Sequence, residues 1–418
     1  MLCQFTIKNY KSIKDELTLD MQATPISEHT ESIIKDRDNE TFLPLAAIYG
    51  PNGSGKSNII NGFNNLLNIL LRPVCALCDN NKNCPSTLKK SQTIPFRFSD
   101  EYASAPTDFE LFFRTDIAEY KYNLSIHDEN IICESLNKKN IDGKRHSPLF
   151  TRDNNEVKLY GVLKNLKVQD ISQSISVLSY LAIIHRNHII DDVFSFIHSG
   201  ISVLNLGNPE NELKCGLPKS DEFKALFLKM LTEMDIDIKD FRVQEHDEII
   251  DLYTKHVINN NQYELDIMEE SSGTFKLFTI LPFIIESITN GTVLIVDELD
   301  AKLHPSLLKY IIELYRNHNS NKKGAQLIYT SHELSTMNSD LFRRDEIWFV
   351  AKNDDQSTKL YSLVEFKDND GKSIRKDARY EKQYLEGKYG ADPYLRRIIN
   401  WEEHNNVPKQ KKERLEKN

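Results

Sequence analysis

The sequence predicts an α/β fold in which a parallel core sheet is joined by an antiparallel sheet lobe and a helical insertion. Three observations predict it. A short apolar run at residues 43–49 leads into Gly50-Pro51-Asn52-Gly53-Ser54-Gly55-Lys56-Ser57, after which Ile59, Ile60, Phe63, Leu66, Leu67 and Leu70 recur at helical spacing. A second run, Val293-Leu294-Ile295-Val296, ends on Asp297-Glu298, and a third, Gln326-Leu327-Ile328-Tyr329-Thr330, ends on Ser331-His332. Unbroken apolar runs of this length suit strands buried on both faces, and ligands of open α/β sheets gather at the carboxyl ends of such strands.

The remaining segments follow in chain order. Phe5 and Ile7, then Leu17, Leu19 and Met21, alternate with polar residues and predict two strands within residues 1–22, followed by a surface loop over 27–41. A loop is expected over 73–91. Residues 94–132 read as antiparallel strands turning at Asp116 and His127-Asp128, and 137–155 as a polar connection. From 168 to 234 the periodicity is helical, with breaks near Gly200-Ile201 and Gly207-Asn208-Pro209, and strands resume over 241–256. The expected units are an N-terminal lobe (1–165), a mainly helical insertion (166–258), a C-terminal lobe (259–400) and a charged tail (401–418) with Lys409, Lys411, Lys412, Arg414 and Lys417.

Bulk properties narrow the function classes. At 418 residues the chain has room for two or three ordinary domains, or for one large domain with an insertion. Hydrophobic residues at 39% and charged residues at 28% exclude a disordered profile. A net charge of -9 and a pI near 5.8 argue against nucleic acid binding driven by overall charge and leave a local patch open. There is no leader pattern, no apolar run of about 18 residues to span a membrane, and no paired spacing of the cysteines, so a cytoplasmic protein with reduced thiols is expected.

The first motif fits G-x-x-x-x-G-K-[ST] between a predicted strand and a predicted helix. Its glycines let backbone N–H groups turn inward onto phosphates, Lys56 reaches the β- and γ-phosphates, and Ser57 binds Mg²⁺. Asp297 is placed to hold the same Mg²⁺ through water, and Glu298 to orient or deprotonate the attacking water. Glu270-Ser271-Ser272-Gly273-Thr274 opens a helical apolar run; on its own it is equally a second anion site or a helix N-cap. A lone histidine such as His332 is usually structural, but its position directly after the third strand suits a donor to a γ-phosphate.

Taken together, Phe5-x-Ile7-x-Asn9-Tyr10-Lys11-Ser12, the Gly50-to-Ser57 loop, Glu270 to Thr274, Asp297-Glu298-Leu299-Asp300-x-x-Leu303-His304-Pro305 and Ser331-His332 resemble ABC ATPases of the RecF, SMC and OLD lineage. Glu269-Glu270-Ser271-Ser272-Gly273-Thr274 and Gly387-Lys388-Tyr389-Gly390-Ala391-Asp392-Pro393-Tyr394 look like RloA- and AriA-type ATPases of antiphage and abortive-infection systems. The resemblance implies a P-loop ABC-type core that binds ATP and Mg²⁺ and hydrolyses ATP. Asn52, Gly53, Ser54, Gly55, Lys56 and Ser57 of one copy, with Ser271, Gly273 and Asp300 of another, would enclose each nucleotide in a head-to-tail dimer or a higher homo-oligomer. Glu298, His332 and Lys56 would be catalytic, with Ser57 and Asp297 holding the metal.

Ser272 stands where the usual signature has its first glycine, and Gln92 is the candidate for the glutamine that joins such cores to their lever. No acidic cluster of Toprim type follows His332, so an effector nuclease of that type is expected to be a separate protein. The function expected is therefore an ATP-driven regulator of a defence effector. The alternative is a DNA-repair ATPase that binds DNA directly, and direct nucleic acid binding stays open. Three further features carry bland readings: Cys75, Cys78 and Cys84 as incidental thiols, His185 and His188 as a polar helix face, and Lys138-Lys139 with Lys144-Arg145-His146 as a weak basic patch.

Overall fold

The computed structural model describes residues 1–77, 93–205, 213, 220–246, 249–367, 371 and 373–391. Cys78, Cys84, Gln92, Gly207-Asn208-Pro209, Asp392-Pro393-Tyr394 and the tail lie outside the described residues.

The apolar runs form the core sheet. Its strands lie in the order Ile201–Asn205, Val293–Asp297, Gln326–Ser331, Leu45–Tyr49, Ile347–Lys352 and Thr358–Ser362. All neighbours are parallel except the last pair. Every residue of the three central strands is buried, which is why they read as unbroken apolar runs. Alternate side chains serve two cores. Ala46, Ile48, Ile295 and Ile328 pack with Ile59, Ile60 and Phe63 of the helix Lys56–Cys75. Ala47, Tyr49, Val296, Leu327 and Tyr329 pack with Leu277, Ile284, Leu308 and Ile311 of the helices Ser272–Asn290 and Pro305–Arg316.

An antiparallel sheet covers the outer side of the helix Lys56–Cys75. Its order is Glu156–Leu159, Ser147–Asp153, Asn130–Asn140, Ala118–His127, Thr107–Arg114, Leu2–Lys8 and Leu17–Asp20. Phe5 stacks on Phe63 with ring centroids 3.6 Å apart. Gly62 permits this contact, since a Cβ there would stand 2.5 Å from Ile7 Cδ1. A third sheet, Asp240–His246, Ile249–Ile258 and Asn261–Asp266, is antiparallel throughout. Phe227, Phe241 and Phe278 join it edge-to-face to the helices Asp221–Glu233 and Ser272–Asn290.

Four local expectations are corrected. Residues 137–155 are largely strand rather than a polar connection: Leu149 and Phe150 are buried, while Ser147, Pro148 and Asp153 at the ends of their strand are exposed. The helical reading of 168–234 holds at Val177–Ile184, His188–Ser199 and Asp221–Glu233, but Ile201–Asn205 is the edge strand of the core sheet. The strand reading of 94–132 begins only at Thr107, after a short helix at Asp100–Ala103. The helix Lys56–Cys75 runs past Pro73, which sits in its last turn. No helix of the described residues is long and apolar enough to cross a membrane.

Phe278→Ala empties the centre of the aromatic triad and is expected to destabilise the protein by about 3–5 kcal/mol. The checking measurement is the urea midpoint at unchanged m-value. Val162→Ala, at an exposed site, is expected to stay within about 0.5 kcal/mol.

Candidate functional site

The strand Leu45–Tyr49 delivers its chain directly into the glycine loop, where close packing requires glycine at two positions. A Cβ on Gly50 would strike the carbonyl oxygen of Val350, and one on Gly55 would strike Thr358 Oγ1. Gly55 also has φ of 111°, a conformation open to glycine. Thr358 Oγ1 donates to the Ser54 carbonyl at 2.8 Å and pairs with Ser12 Oγ at 2.7 Å. Thr358 N donates to the Ser12 carbonyl at 2.7 Å, and Asn58 Nδ2 to Ser12 Oγ at 2.7 Å. The loop is thus bound on one side to the N-terminal turn and on the other to the last core strand.

No side chain caps the helix Lys56–Cys75, and Asn58 N turns back to the Gly55 carbonyl at 3.0 Å, which leaves the amides of Lys56 and Ser57 to an anion. Ser54 Oγ is buried without a partner. Asn52 and Gly53 are exposed, and Ser57 is half-buried. Lys56 Nζ donates to the carbonyls of Gly50 at 2.7 Å and Pro51 at 3.3 Å. Burial pushes its pKa down to about 8, against the opposing pull of Asp297, Glu298 and Asp300.

Asp297 and Glu298 end the strand Val293–Asp297, the first buried and the second exposed. Thr330 Oγ1 donates to Asp297 Oδ1 at 2.5 Å and accepts from Glu298 N at 2.7 Å, so one hydroxyl ties the acidic strand to its neighbour. Glu298 holds φ of 52°, a left-handed conformation that costs a non-glycine residue about 1 kcal/mol or more. Lys276 Nζ donates to its carbonyl at 2.9 Å. Asp300 Oδ2 accepts from His332 N at 3.0 Å, while Asp300 Oδ1 is buried without a partner. Burial first, then the charge on Lys56, lower the pKa of His332 and favour its neutral ring.

Ser271 caps the helix Ser272–Asn290, its Oγ accepting from Thr274 N at 3.1 Å and pairing with Thr274 Oγ1 at 2.8 Å. The N-cap alternative is therefore realised. Ser271 and Ser272 are exposed nonetheless, and a Cβ on Gly273 would stand 3.0 Å from the Lys302 carbonyl. The structure brings Lys56, Asp297, Glu298, Asp300 and His332 into one electrostatic neighbourhood. It leaves Ser271 and Gly273 beside the loop after the acidic strand, and no hydrogen bond among the described residues links 271–274 to 50–57.

Backbone amides, a buried cation and an unpartnered hydroxyl fit a polyphosphate. The Ser57 hydroxyl and the second oxygen of Asp297 are oxygen donors of the kind a magnesium ion would take. Sequence reasoning missed the contributions of Thr358, Asn58, Thr330 and Lys276, and read Ser12 as part of a connection. Only Thr330, at the end of an apolar strand, carried a signal of position.

Fold and loop define a P-loop nucleotide-binding protein. Residues 45–338 match the family described as "AAA domain, putative AbiEii toxin, Type IV TA system"; the chain belongs to that family and carries its ATPase domain. No curated protein is significantly similar to the chain in sequence. Among solved structures, an SMC head bound to the C-winged helix domain of ScpA is similar at 13% identity and a TM-score of 0.44, over 86% of this chain and 97% of that one.

Two outcomes follow from the Lys56 environment. A bound phosphate favours the charged ammonium, so nucleotide affinity is expected to be flat below pH 8 and to fall as pH rises above about 8, by at most about tenfold per pH unit. Lys56→Arg should remove that slope in a fluorescent-nucleotide titration. Thr358→Val keeps shape but strips partners from the Ser54 carbonyl and Ser12 Oγ, and should weaken nucleotide binding about tenfold in the same assay.

Proposed function

We propose that this protein is an ATP-hydrolysing switch of the ABC type that works as a head-to-tail pair and controls a separate effector in a bacterial antiphage defence system. The observation that carries the pairing is the position of Ser271 and Gly273. They stand at the start of a helix where Ser271 and Ser272 are exposed, yet among the described residues no hydrogen bond joins them to the glycine loop of their own chain. A second copy supplies the missing half: its Ser271 and Gly273 meet the γ-phosphate held by Lys56 and by the amides of Asn52, Gly53, Ser54 and Gly55.

In this reading Ser57 and Asp297 hold Mg²⁺, which neutralises phosphate charge. Glu298 positions the attacking water, and neutral His332 donates to the γ-phosphate. Asp300 keeps the His332 backbone in place from its own chain and lies in the loop that meets the partner. Closure around ATP is the signal, passed on as a change of shape.

The defence setting is supported by the family's description, which names an AbiEii toxin and a type IV toxin–antitoxin system. The RloA- and AriA-like motifs point the same way, with a Toprim-type nuclease as the candidate effector. The DNA-binding alternative draws little from the basic patch, because Lys139 and His146 both pair with Glu119, at 2.7 and 3.1 Å.

The test is the mass of the purified protein with and without Mg-ATP, for wild type and Glu298→Gln. ATP should drive association that Glu298→Gln makes persistent, while phosphate release falls by about a hundredfold or more. A mass that stays at one chain under every condition would sink the paired site.

A further inference from the structure

We infer that His256 is a positioning residue, through which the three-stranded sheet sets where the Ser271–Gly273 segment stands. The inference rests on the paired reading above. The central strand Ile249–Ile258 carries Thr254 and His256 on one face, as residues two apart must. Both reach the carboxylate of Glu270: Thr254 Oγ1 donates to Glu270 Oε1 at 2.5 Å and His256 Nε2 at 2.7 Å. Glu270 immediately precedes the N-cap Ser271, so the carboxylate anchors the chain one residue before the exposed hydroxyl.

The anchor is held from its other side too. His256 Nδ1 lies 3.1 Å from the Asp237 carbonyl, in the link between the helix Asp221–Glu233 and the strand Asp240–His246. Both ring nitrogens thus lie within hydrogen-bond distance of an oxygen, which fixes the plane of the ring. The side chain of Glu270 is 11% exposed and that of His256 22%, so the pair is largely sheltered from screening. The intervening turn is stiff. Glu269 N and Glu270 N donate to the carbonyls of Asp266 and Ile267, Met268 N donates to Asp266 Oδ1, and Ile267 is buried. A displacement of the sheet has no slack to absorb it before Ser271.

The geometry separates this role from packing. The helix Ser272–Asn290 is already fastened to the sheet through Phe278 against Phe241, and to the helix Asp221–Glu233 through Phe227. The His256–Glu270 contact adds nothing to that core; it fixes the direction in which the helix start is presented.

The test compares wild type, His256→Ala and His256→Gln, each with and without Glu298→Gln, for ATP-driven association and for the split between kcat and KM. His256→Ala should weaken association and lower kcat by about tenfold, leaving the nucleotide affinity of dilute single chains unchanged. His256→Gln, whose amide donates in place of Nε2, should recover most of the loss. Thr254→Val, which removes the other donor and keeps shape, should act in the same direction and serves if His256→Ala does not fold. Wild-type association that His256→Ala and Thr254→Val both leave untouched would overturn the positioning role alone. Loss of single-chain nucleotide affinity with no recovery in His256→Gln would reduce the pair to a packing contact and overturn it as well. Absence of ATP-driven association in the wild type would sink the paired site and take this inference with it.

Discussion

The structure depends on how the glycine loop is pinned. A loop whose amides turn inward has few internal hydrogen bonds, and its shape must be imposed from outside. Here Thr358 and Ser12, 346 positions apart, clasp each other and hold the Ser54 carbonyl and the start of the following helix between them. That clasp requires the order of the core sheet. The strand Ile347–Lys352 must lie beside Leu45–Tyr49, and the strand after it must turn back antiparallel, for Thr358 to arrive at the loop. Glycine at 50 and 55 then follows as a consequence, because the neighbouring Val350 carbonyl and Thr358 hydroxyl occupy the space a Cβ would need.

A second cross-tie makes the chemistry coherent. Thr330 binds Asp297 with one side of its hydroxyl and Glu298 N with the other, while Asp300 accepts from His332 N. The carboxylates and the histidine follow adjacent parallel strands, and these bonds tie their loops to one another. Lys56 sits in their combined field on two carbonyls of its own loop. A buried ammonium resting on neutral carbonyl oxygens gains from exchanging them for phosphate, so the arrangement is already disposed toward an anion.

How much of this was legible in the sequence depends on how far each feature reaches. The three central strands were plain because burial on both faces keeps their middles apolar and confines polar residues such as Asp297, Gln326 and Thr330 to their ends. Ile201–Asn205 was missed because an edge strand buries only Ile201 and Leu204, which at that spacing also suits a helix. The strands within 137–155 were missed because one face of the sheet is solvated and its polar residues mimic a connection. The positions of Lys56, Asp297, Glu298 and His332 were readable, since each ends or follows a recognisable run. The Ser12–Thr358 clasp was not, because two hydroxyl residues so far apart leave no local pattern. The segment at Ser271 was read two ways, and its N-cap bond is present without occupying its exposed surface.

The segment's placement also bears on how a nucleotide state could travel. Lys276, one turn into the same helix, donates to the Glu298 carbonyl, and Gly273 lies against the Lys302 carbonyl. The loop from Glu298 to Lys302 begins with a residue held in a left-handed conformation, a place where stored strain permits more than one arrangement. A rearrangement there would press directly on the helix that begins at Ser272. From that helix the aromatic triad and Glu270 lead to the three-stranded sheet. The path runs through packed contacts from the acidic strand to a peripheral sheet. That continuity is what a switch needs if hydrolysis at one place is to be felt at another.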